Sequence, residues 1–79
     1  MKAKKIKKQL NQCRSFEEFF VKVSEIKIEH STRLKSLMKL RNIVSEYDDA
    51  YDIGAVVYLC DCIDLEIINT RLSKYGAKQ

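Results

Sequence analysis

Proline and tryptophan are absent from the chain, glycine occurs only as Gly54 and Gly76, and histidine only as His30. A sandwich or barrel needs frequent turns, so this composition is poorly suited to either and favours a few helices with short connections. Long apolar runs are lacking too. The longest covers residues 53–60, eight positions of apolar, Gly or Tyr side chains, against about 18 for a membrane span. The lysine-rich start is not followed by an apolar stretch of signal-peptide length. Three cysteines make an odd number, and Cys60 and Cys62 sit too close for an ordinary structural bridge. Free thiols in a reduced, cytoplasmic setting fit best. A phosphate-cradling glycine loop, a nucleophile elbow and a nucleophile–base pairing are all missing, which argues against an enzyme, a catalytic residue or a small-molecule substrate.

What is present is a charge split. Residues 1–41 hold twelve Lys or Arg against four Glu, whereas residues 42–79 hold three against seven Asp or Glu. Such a split points to charged partners or to an unevenly charged solvated surface, and says nothing of fold. With 79 residues the chain makes one small domain, of a size often stabilised by a partner or a second copy. The expected architecture is all-α, with four or five helices around a central buried helix at residues 46–61 and loose ends at 1–5 and 77–79.

In chain order, Ile6, Leu10 and Cys13 form a narrow apolar stripe over residues 2–12. Lys2, Lys4, Lys5, Lys7 and Lys8 crowd its first turns, against the macrodipole, so these turns should fray. Phosphate contact or solubility would explain them. Ser15-Phe16-Glu17-Glu18 reads as a capping box. Phe16, Phe19, Phe20, Val23 and Ile26 then supply a core stripe to about Lys27. His30 is expected to be an exposed loop residue, and Ser31 or Thr32 to cap the next helix. Leu34, Leu37, Met38 and Arg41 repeat at helical spacing along it, with Leu40, Ile43 and Val44 adding apolar surface near its end. Arg33, Lys35, Lys39 and Arg41 make it basic, a pattern that serves nucleic acid, a membrane surface or a partner helix, or merely an outer face.

Ser45-Glu46-Tyr47-Asp48 reads as a second capping box that opens the central helix. Tyr47, Tyr51, Gly54 and Tyr58 would line one face of it, with Gly54 admitting a close neighbouring helix; Asp48 and Asp52 would share another. Taken alone, residues 56–60 have strand propensity, but a lone strand would have no partner. A turn at residues 62–64 would lead to a last helix, capped by Asp64, stapled by Ile63 and Ile68, burying Leu65, Ile68 and Leu72, and stopped at Gly76. Cys13, Cys60, Cys62 and His30 could in principle bind zinc, but their spacing lacks the usual ligand pairs, so neither metal nor cofactor is expected. Acids at a helix start explain Asp48, Asp49 and Asp52 more simply than catalysis does.

A short helix ending in Cys13, a capped second helix opening Cys13-Arg14-Ser15-Phe16-Glu17-Glu18-Phe19, and a long third helix leading into Asp61-Cys62-Ile63-Asp64 resemble the Hha/YmoA family of small enterobacterial nucleoid modulators. The chain is also similar in helical pattern to a small phage protein associated with a recombination-repair helicase. The resemblance covers most of the chain, with about five inserted residues between the second and third helices. It implies a non-enzymatic adaptor. The family's Ala-Asp-His-Arg segment, which binds H-NS-type proteins, aligns its Asp with Asp48, while Tyr47, Asp49 and Ala50 replace the other three. Asp64 stands where the family has proline. The implied partner is a nucleic-acid-associated protein or DNA, with modulation of transcription or recombination. Asp48, Asp49 and Asp52 would meet the protein, and Lys4, Lys5, Lys7, Lys8, Arg33, Lys35, Lys39 and Arg41 would approach phosphate. The alternative is a phage- or mobile-element-encoded inhibitor acting purely by protein contact. Self-association through the tyrosine face, giving a homodimer, is a third reading.

Overall fold

The computed structural model describes residues 2–76, and for residues 74–76 the backbone only. Its elements are α1 (Ala3–Asn11), α2 (Phe16–Glu29), α3 (Leu34–Ser45), a short 3₁₀ helix (Glu46–Asp49) and α4 (Ile53–Gly76), with no strand among the described residues. The all-α expectation holds. The expected looseness of residues 77–79 lies outside the described residues, and α1 begins at Ala3 with neither a side-chain cap nor an acid in its first turn.

The four helices share one core. Ile6 and Leu10 enter it from α1, Phe19, Val23 and Ile26 from α2, Leu37, Leu40, Ile43 and Val44 from α3, and Val56, Leu59, Cys60, Ile63 and Ile67 from α4. The α3–α4 pair is the spine, and α1 and α2 pack across it. Each large apolar side chain taken fully from water is worth about 1.5–3 kcal/mol, so this cluster supplies the main driving force.

α2 starts as its sequence predicts, with a change of partner. The Glu18 amide donates to Ser15 Oγ (3.2 Å). Glu18 Oε2, however, accepts from the Arg14 amide (2.6 Å) rather than from Ser15. α3 is capped by neither Ser31 nor Thr32: its N-cap is Arg33, without a side-chain bond. Of the side chains at helical spacing, Met38 is exposed, and the buried stripe runs through Leu37, Leu40, Ile43 and Val44.

The central helix departs most from expectation. α3 runs on through Ser45, whose hydroxyl donates back to the Asn42 carbonyl (2.7 Å) instead of capping a new helix. Glu46, Asp48 and Asp49 then put negative charge at a helix C-terminus, which opposes the macrodipole, and the backbone tightens to 3₁₀. The long helix restarts at Asp52, whose Oδ2 accepts from the Ala55 amide (3.1 Å). Asp48 and Asp52 therefore lie on different elements. No turn interrupts residues 62–64: Val56, Leu59, Cys60, Ile63 and Ile67 keep one helical period, and Asp64 sits mid-helix 3.3 Å from the Arg41 guanidinium. The Thr70 hydroxyl lies 2.6 Å from the Ser31 carbonyl, tying the far end of α4 to the α2–α3 connection.

α4 is not buried all round. Ile53, Val57, Tyr58, Leu65, Ile68 and Leu72 are exposed, so the expected buried stripe of Leu65, Ile68 and Leu72 is overturned. No neighbouring helix closes on Gly54; a Cβ there would meet only Asp52 Oδ2, at 3.1 Å.

Candidate functional site

On α1, Ile6 and Leu10 fix which side faces the core, and Lys4 and Lys8, one turn apart, take the opposite side. Lys5 is exposed beside them. Lys7 points toward the 3₁₀ helix, where its Nζ lies 3.6 Å from Glu46 Oε2. On α3 the same logic places Lys35 and Lys39, again one turn apart, outward, with Arg33 exposed at the helix start. Arg41 is half-buried, and its Nε pairs with Asp64. The eight cations thus divide. Lys4, Lys5, Lys8, Arg33, Lys35 and Lys39 have no carboxylate within ion-pair distance among the described residues, while Lys7 and Arg41 are engaged.

The three acids divide as well. Asp48 and Asp49 are exposed on the 3₁₀ helix, whereas Asp52 caps α4. Asp48 borders a shallow depression of about 190 Å³, which also takes in Ile53, Val57 and Asp61. Two exposed apolar side chains beside two acids form a surface that the sequence reading did not assemble. Its signal was hidden because Ile53 and Val57 read as core.

The tyrosine face does not form. Tyr47 and Tyr51 turn inward on Phe19, with ring centroids 5.0 and 4.7 Å away, and Phe16 stands edge-on to Tyr51 at 5.6 Å. The Tyr47 hydroxyl donates to Asn11 Oδ1 at 2.5 Å. Burial, then neighbouring acidic groups, raises the pKa of both hydroxyls. Tyr58 sits apart and exposed on α4, so the three rings do not form one continuous face.

Among the described residues His30 is the one buried polar residue, 4% exposed at the C-terminal cap of α2. The expectation of an exposed loop histidine is corrected by this burial. Neither ring nitrogen has a hydrogen-bond partner among the described residues. No group of three or more His, Cys, Asp or Glu among the described residues is arranged to hold a metal ion. The Cys60 thiol faces the Arg41 carbonyl (3.9 Å), and burial is the largest cause raising its pKa, away from the reactive thiolate. No helix among the described residues is long and apolar enough to cross a membrane.

No family model, curated protein or solved structure matches the chain. The likeness to the Hha/YmoA pattern therefore rests on the residues quoted for it, of which Asp48 stands in the 3₁₀ helix between α3 and α4.

Proposed function

We propose that this chain is a small non-enzymatic adaptor that binds DNA, a nucleic-acid-associated protein, or both, and so modulates transcription or recombination. The observation that carries the reading is the set of six unengaged cations on the outer sides of α1 and α3. Lysines in the first turn of a helix work against its dipole, and α1 supplies no acid to offset them. A phosphate backbone would turn that local cost into affinity. The exposed acids Asp48 and Asp49 then remain for a protein partner, and of the two the family resemblance aligns Asp48 alone.

Fluorescence anisotropy with labelled duplex and single-stranded DNA, at low and moderate salt, tests this. With about five phosphate contacts, log K should fall against log salt with a slope near −4 to −5. Replacing Lys4 and Lys8 by Glu should reduce the slope by about 2. Absence of binding even at low salt would remove the nucleic-acid half of the reading.

A second reading has its own support in the depression beside Asp48, where exposed Ile53 and Val57 stand next to Asp61. An apolar centre ringed by Asp48, Asp61 and Arg41, whose charge is already paired with Asp64, suits a protein surface rather than phosphate, as an inhibitor acting by protein contact would require. Nuclease-insensitive retention of one protein, lost on replacing Val57 by Glu, would favour it over the first.

A further inference from the structure

The outer side of α4 carries a second apolar stripe that the described residues leave largely exposed. Tyr58, Asp61, Leu65, Ile68 and Leu72 follow one another at spacings of three, four, three and four residues. That is the seam of a two-stranded coiled coil, and it is distinct from the inner stripe that packs on α3. Val57 borders it, and with the four apolar members Tyr58, Leu65, Ile68 and Leu72 it is 50–62% exposed. Together they present on the order of 500 Å² of apolar surface, the upper range for the largest patch on a monomer. Two such faces would cover about 1,000 Å², the lower bound of a specific interface.

We infer that α4 pairs with α4 of a second copy of this chain, antiparallel and across a two-fold axis. Charge selects both the occupant and the direction. A parallel pair would set Asp61 directly against its own copy, a like-charge contact in the seam. An antiparallel pair with Leu65 opposite Ile68 of the second copy moves Asp61 out toward the end of the seam. The same register sets Asp64, which flanks the seam, against Arg71 of the second copy. The two-fold axis makes that ion pair twice. Asp64 and Arg71 also line an open groove of about 430 Å³ between α3 and α4, which leaves room for the second copy's guanidinium. Arg41, already 3.3 Å from Asp64, would complete a line of alternating charge. This pairing uses neither the six unengaged cations nor Asp48, so it is independent of the nucleic-acid reading, and it shares Val57 and Asp61 with the protein-contact reading, from which Ile68→Glu, outside that depression, separates it.

Sedimentation equilibrium of the full chain, from about 10 µM to about 1 mM, tests the inference by mass action. A monomer–dimer equilibrium is expected. Ile68→Glu should weaken it about tenfold or more with unchanged far-UV circular dichroism, since the side chain is exposed in the monomer. Asp64→Arg and Arg71→Asp should each weaken it, and reversing Arg41 together with Asp64 and Arg71 (Arg41→Glu, Asp64→Arg, Arg71→Asp) should restore it, because each ion pair, that of Arg41 with Asp64 included, is re-formed with its signs exchanged. A monomer throughout this range, or a dimer indifferent to Ile68→Glu, would overturn the pairing. Failure of the triple reversal to restore it would overturn the antiparallel register. A monomer that captures a different protein only while Ile68 is intact would assign the stripe to that partner's helix instead.

Discussion

His30 shows how a single residue can work against the fold that holds it. Its imidazole lies in the interior with neither nitrogen paired among the described residues. A neutral imidazole has one donor and one acceptor, and leaving buried polar groups unmade costs about 1–3 kcal/mol. An apolar side chain of similar volume removes that cost. His30→Leu is expected to stabilise the chain by about 1–2 kcal/mol, read as a higher urea midpoint at unchanged m-value. An unchanged or lower midpoint would mean that the ring is needed where it is. The sequence could not have indicated this burial. His30 follows the last turn of α2 and precedes Ser31 and Thr32, all polar neighbours. What brings it inside is the tertiary closure that also joins Thr70 to the Ser31 carbonyl, a contact across 39 positions of sequence.

Among the elements, α1 and α2 were legible because Ile6 and Leu10, and Phe19, Val23 and Ile26, keep helical spacing and, for α2, because the cap's partners lie within four residues, although Phe20, read into the same stripe, is exposed. α4 was not, because it has two stripes. The inner one, Val56 to Ile67, is continuous, but the outer Leu65, Ile68 and Leu72 imitate the start of a new buried helix, and Asp64 imitates its cap. The cap of α4 also differs from the one the sequence suggests. Ser45 bonds back into α3 and Asp52 caps the new helix, a choice set by where the acidic residues fall against the end of α3. The continuity of α4 has a direct test. Proline suits the first turn of a helix but in an interior removes a hydrogen bond and clashes with the preceding turn. Asp64→Pro should therefore cost about 3 kcal/mol or more by urea unfolding, of which the exposed Arg41 pair accounts for less than about 1. A near-neutral effect would restore the turn at residues 62–64.

For the whole molecule, the distribution of charge along the chain is only partly its distribution in space. Lys7 with Glu46 and Arg41 with Asp64 join the basic half of the sequence to the acidic half. The functional test has to respect this folding together. Removing residues 1–8 looks from the sequence like the removal of a loose basic tail, but Ile6 is fully buried in the common core. Losing a buried side chain of that size costs about 2–5 kcal/mol. A chain of this length has roughly 4–12 kcal/mol of total stability. The truncated chain is expected to melt well below the intact one in a thermal circular-dichroism scan, and its failure to bind anything would carry no information about phosphate. Lys4→Glu with Lys8→Glu separates the two effects. Both side chains are exposed, and Lys4 stands in the first turn of α1, where an acid is favoured by a few tenths of a kcal/mol. The double variant should melt at or slightly above the parent temperature while binding DNA more weakly. Weaker binding in a chain that is no less stable can come only from the lost charges, and weaker binding with a lower melting temperature would return α1 to a purely structural role.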